Sequence, residues 1–135
     1  MTYPRIAAAI VLAGLAALAP AYASETKKDA PELAGFVRTG QLESCLSTTR
    51  LDSTKILNGD QILFRMKGGD TYLNEPDGCP GLSKFSALSY EVHANQICNT
   101  TIVTLIEPAG TGASVRGSCG LSKFEKLEKK SASAE

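Results

Sequence analysis

Ile62, Phe64 and Met66 stand two residues apart, so in an extended chain their side chains share one face. Turn formers bracket the run. Asn58-Gly59 precedes it, a dipeptide that tolerates the positive φ angles of tight hairpin turns. Lys67-Gly68-Gly69-Asp70 follows, and Thr71-Tyr72-Leu73 returns antiparallel until Pro76-Asp77-Gly78 ends it beside Cys79. Upstream, Thr54 to Leu57 reads as a short strand feeding the first turn. Downstream, Leu88, Tyr90 and Val92 alternate with Ser89, Glu91 and His93, the pattern of a strand with one buried and one wet face. Thr100 to Ile106 is β-branched and apolar, the strongest strand by propensity, and Pro108 closes it. Ala109 to Gly117 reads as a Gly-rich loop. Leu121, Phe124 and Leu127, spaced by threes, fit a bulged strand. Gln41 to Arg50 has no clean period, and a short helix would fit around Glu43 to Thr49. Five or six short strands with Gly, Pro, Asn and Asp between them predict an all-β fold, a small antiparallel barrel or roll.

The ends of the chain have a different composition. Residues 1–23 read as a signal peptide: Arg5 supplies the positive start, Ile6 to Leu18 the apolar stretch, and Ala21-Tyr22-Ala23 the small-x-small signal for cleavage between Ala23 and Ser24. The apolar stretch is short of the roughly 20 residues that span a bilayer. Residues 24–35 are Ser, Glu, Thr, Lys, Asp, Ala and Pro with little to bury, a flexible lead-in, and 128–135 read as a disordered tail. The span 36–127 is then a single β domain, long enough for a modest core.

Fourteen basic and 14 acidic side chains, scattered along the chain, argue against a nucleic-acid partner, which demands a concentrated basic face. No polybasic anchor and no membrane span after signal removal are expected. A periplasmic or secreted location follows from the leader. Cys45, Cys79, Cys98 and Cys119 make an even set in an exported chain, and without a Cys-x-x-Cys spacing they read as two structural disulfides rather than a redox pair or zinc site. Four cysteines allow three connectivities.

Several residues invite a chemical reading. His93, the only histidine, falls on the wet face of its strand with Glu91 two residues away, and a hydrolase could be built from them with Ser86 or Ser89. No nucleophile-elbow motif accompanies them, so a surface histidine is the plainer reading. Asp70, Asn74, Glu75 and Asp77 group oxygen ligands near the hairpin end, yet not at EF-hand spacing, and turn formation explains them without calcium. Asp60 and Asp70 would serve a glycoside hydrolase only at a suitable separation. Asn99-Thr100-Thr101 matches a glycosylation acceptor by accident, and Gly110-Thr111-Gly112 lacks the Lys-Ser/Thr of a phosphate loop. No cofactor or metal is expected. Cys79-Pro-Gly-Leu-Ser-Lys-Phe recurs as Cys119-Gly-Leu-Ser-Lys-Phe, which reads as a repeated structural corner rather than a pair of ligand-binding corners.

Cys45, the Ile62 to Met66 run with Gly68-Gly69 and Tyr72-Leu73-Asn74, Cys79-Pro-Gly-Leu, Ile97-Cys98 before Ile102-Val103, and Cys119-Gly-Leu with Phe124 together resemble a group of small exported proteobacterial proteins known only as a domain of unknown function. The resemblance spans Cys45 to Leu127 and brings no catalytic motif. It implies nested disulfides, Cys79–Cys98 inside Cys45–Cys119, with the outer bridge tying the first core segment to the last. The expectation is an exported, non-catalytic binding or interaction module for a protein or small molecule. The alternatives are the hydrolase centred on His93, or an inhibitor of an exported enzyme presenting Lys67–Asp70 and Ala109–Gly117.

Overall fold

The computed structural model describes residues 28–131. The expected signal segment, with the cleavage expected between Ala23 and Ser24, lies outside the described residues. Among the described residues ten strands form three antiparallel sheets. The largest has the order β1 (Phe36–Glu43), β10 (Phe124–Lys129), β5 (Thr71–Asn74), β4 (Gln61–Met66), β3 (Leu51–Asn58). A pair joins β2 (Cys45–Ser47) to β7 (Gln96–Cys98). A third sheet has the order β6 (Ala87–Tyr90), β8 (Ile102–Ala109), β9 (Gly112–Gly120). The all-β expectation holds, with more strands than expected, and the sheets do not close into a barrel.

The central hairpin forms as the alternation predicts. Ile62, Phe64 and Met66 face one core, together with Phe124 of the same sheet and Ile97, Val103 and Leu105 from the other two. Phe64 and Phe124 meet edge-to-face at 5.2 Å, an arrangement that adds to the burial of both rings. The turn itself is one residue later than expected. Asn58 pairs with Gln61, so Gly59-Asp60 are the turn residues, and neither has a positive φ. The Asn58 side chain supplies the turn instead, accepting the Asp60 N–H at 2.9 Å.

The opposite face of the large sheet is also apolar. Leu57, Leu63, Leu73 and Leu127 need a cover, and Ala30 and Leu33 provide it. The supposed lead-in is therefore an ordered strap from its described start, with a 3-10 turn at Pro31–Gly35. Its polar anchor is Gln61, fully buried, whose Oε1 accepts the Ala30 N–H at 2.9 Å while its Nε2 donates to Asp29 at 3.0 Å. The supposed tail is likewise ordered in part, because β10 runs to Lys129 and Lys130 donates to the Gly35 carbonyl. Phe124 and Leu127 point to opposite faces of β10, which explains the spacing by threes without a bulge there.

Other segments differ from expectation. Gln41 to Arg50 holds the end of β1, the short β2 and a 3-10 turn at Thr48–Arg50 rather than a helix. Ala109 to Gly117 is no loop: Gly110-Thr111 make a tight turn and β9 follows. Pro108 does not end β8, because β6 pairs only as far as Ile106 and beyond it β8 has a neighbour on one side only. The bulge sits in β9 at Arg116-Gly117, opposite Leu105 and Ile106. A Cβ on Gly117 would approach the Pro80 carbonyl to 3.3 Å, so this glycine lets the Cys79–Gly81 segment lie against β9.

The disulfides are Cys45–Cys98 and Cys79–Cys119, not the nested pairs that the resemblance implied. Register decides this. Cys45 and Cys98 are direct partners across the β2–β7 pair, and Cys79 lies beside β9, which carries Cys119. The two loops interleave.

Partial reduction followed by peptide mapping will give Cys45–Cys98 and Cys79–Cys119 fragments, and recovery of Cys79–Cys98 would overturn this register. Gln61→Leu strands the Ala30 N–H without its acceptor. It will lower unfolding free energy by about 1–3 kcal/mol in urea titrations and open the strap to proteases.

Candidate functional site

Each end of β7 makes a tight turn. On one side, His93 and Gln96 close a two-residue turn whose central residues, Ala94 and Asn95, have φ of 52° and 56°. Positive φ at both central positions is the geometry that matches strand twist, and here a non-glycine residue accepts it at each. On the other side, Cys98, Asn99, Thr100 and Thr101 turn the chain into β8. The Thr101 hydroxyl accepts the Cys98 N–H at 2.9 Å, and the Thr101 N–H returns to the Cys98 carbonyl at 2.9 Å. The Cys45–Cys98 bridge and the Asn99 N–H, bonded to the Ser44 carbonyl at 2.8 Å, fasten this corner to the chain before β2.

Between these turns lies a concavity of about 560 Å³ on the outer face of β6 and β8. Alternation builds its floor: Val103 and Leu105 point into the core, so Ile102 and Thr104 point outward, and Ser89 pairs with Thr104. Ile102 is 60% exposed. Tyr90 turns its ring toward the core and lines the groove from one side. Burial pushes its hydroxyl above the ordinary tyrosine value of 10.0. Thr100 and Thr101 complete a wall in which hydroxyls predominate.

His93 and Glu91 stand at the rim of the groove. Their side chains are 86% and 92% exposed, with Nε2 and Oε2 3.9 Å apart. β6 stops at Tyr90, so His93 lies in the turn and not on a strand face, and Val92 is exposed rather than buried. Ser89 lines the same groove without a hydrogen bond to His93 among the described residues. Ser86 is elsewhere, 3.5 Å from the Glu107 Oε1, while Arg116 donates to the other Glu107 oxygen at 2.7 Å. Of the two serines read with His93 and Glu91, Ser89 thus shares their groove and Ser86 does not.

The oxygen-rich group near the hairpin end is also dispersed. Asn74 is buried and bonded to Ser122, Glu75 pairs with Arg38, and Asp70 lies 3.9 Å from the Lys126 ammonium, leaving Asp77 exposed. Among the described residues no group of three or more His, Cys, Asp or Glu side chains is placed to hold a metal ion. Asp60 and Asp70 stand at opposite ends of β4, roughly 17–20 Å apart at about 3.3 Å per residue, too far for the paired carboxylates of glycoside hydrolysis. Sequence reasoning found Ser89, Glu91 and His93 but missed Thr100, Thr101, Ile102 and Thr104 as their neighbours. For Ile102 and Thr104 the outward alternation in β8 was the available signal; Thr100 and Thr101 lie in the turn before it.

Among the described residues no helix is long and apolar enough to cross a membrane. Comparison with protein-family models, curated proteins and solved structures finds no match for this chain.

The tyrosines set an alkaline limit. Tyr90 is raised by burial, and Tyr72 by burial and then by the Asp70 carboxylate, so the folded state favours their neutral forms. Below about pH 10 both states keep these protons and the contribution is complete; as pH rises through the folded values the unfolded chain has already lost them, and stability falls. Tyr90→Phe will make that fall shallower in urea midpoints measured from neutral to alkaline pH.

Proposed function

We infer that the protein is an exported, non-catalytic binding module and that the groove between the His93 turn and the Thr100-Thr101 turn is its recognition surface. The observation that carries this reading is the groove itself. It has the volume of a small-molecule site, an apolar floor at Ile102 and a wall of hydroxyls, and a disulfide fixes one of its corners. Neutral hydroxyls orient a polar ligand without the electrostatic penalty of a buried charge. The rim pair His93 and Glu91 adds a donor and an acceptor in water. Their exposure suits contact with a ligand more than the desolvated, mutually aligned groups of acid–base catalysis. Two interleaved disulfides suit an oxidising compartment, which agrees with the leader and the periplasmic or secreted location read from sequence.

Amide chemical shifts of the purified protein, recorded during titration with pooled low-molecular-weight envelope extract, test the reading. Saturable shifts confined to Ser89, Thr101, Ile102 and Thr104, lost in Ile102→Arg at unchanged melting temperature, are expected. Absence of such shifts, or turnover of an extract component that disappears in His93→Ala, would replace the binding reading.

A further inference from the structure

A second concavity, of about 470 Å³, opens on the strap-covered face of the large sheet at the end away from Gln61. The strand register brings two cations to it from different strands. Thr71 in β5 pairs with Arg65 of β4 on one side and Leu127 of β10 on the other, so these three cross the sheet in one row. Lys129 lies two residues beyond Leu127 on the same face, paired with Phe36 of β1. Arg65 and Lys129 are exposed, and neither forms an ion pair among the described residues. The other cations nearby are engaged: Lys67 donates to the Thr49 carbonyl at 3.2 Å, and Lys126 lies against Asp70.

Uncharged donors complete the concavity. Thr71 is nearly buried, at 6% exposure, and its hydroxyl has no hydrogen bond among the described residues. No buried side-chain oxygen or nitrogen there lacks a partner, so this hydroxyl keeps its opening to the groove. Gly68 and Gly69, at φ of 99° and 103°, form the rim, and a Cβ on either would meet open space. The backbone of the rim is therefore reachable by a ligand.

We propose that this concavity binds the phosphoryl group of a small organic phosphate, with Arg65 and Lys129 as its two charged contacts and Thr71 as a hydroxyl donor. Donors approaching from separate strands suit a tetrahedral anion, which offers oxygens in several directions, better than a planar carboxylate. Two carboxylates also line the site, Asp52 and Asp70. Asp70 is offset by Lys126, so Asp52 is the single opposing charge, and the balance over Arg65, Lys67 and Lys129 stays positive. Phe36 gives an apolar edge for the organic substituent. The site is separate from the hydroxyl-lined groove and shares no residue with it.

Inorganic phosphate titrated into the purified protein at constant ionic strength, with chloride as the balancing ion, is the first probe. Saturable amide shifts at Gly68, Gly69 and Thr71 are expected, with affinity reduced tenfold or more in Arg65→Ser and in Lys129→Ser at unchanged melting temperature. Shifts that are linear, lie elsewhere or survive in both variants would overturn the proposal. Co-sedimentation with phosphatidylglycerol vesicles, against phosphatidylcholine vesicles, then distinguishes the source. Arg65-dependent binding to the former assigns the phosphoryl group to a lipid headgroup, and phosphate binding without co-sedimentation assigns it to a soluble phosphate.

Discussion

The structure depends on one strand that is buried on both faces. Gln61, Ile62, Leu63 and Phe64 of β4 have at most 1% of their surface exposed. A sheet with such a centre must be covered twice, because each large apolar side chain left in water forfeits about 1.5–3 kcal/mol. The smaller sheets cover the side of Ile62 and Phe64, and the strap covers the side of Leu63. The polar member of the strand sharpens the requirement. A buried carboxamide without partners would be costly, and Gln61 finds them in Asp29, Ala30 and Asn58. The strap is thus recruited by an apolar face and by a polar group that its Ala30 N–H and Asp29 carboxylate help to satisfy. Asn74 acts in the same way at the far edge of β5, where its amide holds Ser122 and so directs the crossing from β9 into β10.

The interleaved disulfides link these layers to the surface features. Cys45–Cys98 fixes β7, a three-residue strand between two tight turns, and those turns are the rims of the hydroxyl-lined groove. Three residues of backbone pairing would hold such a strand weakly. The bridge, together with the buried Leu46 and Ile97, holds the turns in place. Rigidity at the rims reduces the ordering cost that binding would otherwise carry.

Alternation in the sequence is legible where a strand has one wet face, and it fails where both faces share a fate. β6 and the core-facing half of β8 were readable for that reason. The hairpin from Asn58 to Leu73, whose β4 is buried on both faces, was marked by the turn formers on either side of that strand. β1 was not: six of its eight residues are exposed, so neither hydrophobic pattern nor propensity marks it. It is held by backbone pairing to β10 and by Arg38, whose guanidinium gathers Asp29, Glu75 and Glu125 from three distant segments. β9 was hidden by its glycines, which signal a loop locally but here serve a turn, a bulge and a close backbone approach. The candidate groove was half legible. Ser89, Glu91 and His93 are sequence neighbours, whereas the threonines and Ile102 reach them only through the β6–β8 register. Disulfide pairing depends on that kind of register too, which spacing along the chain does not contain.

The repeated corner shows how a short sequence echo separates into shared and divergent parts. Its two cysteines are bonded to each other, and Leu82 and Leu121 both enter the same core. The phenylalanines part company. Phe124 opens β10, between β1 and β5, and is fully buried against Phe64. Phe85 lies in a turn before the edge strand β6 and stands 73% exposed, with the Lys84 ammonium 5.3 Å from its ring. Pro80 is the added residue in the first copy and places its phenylalanine one position farther from the cysteine. The echo therefore specifies the stapled turn and its leucine anchor, while the strand that follows decides whether the aromatic ring joins the core.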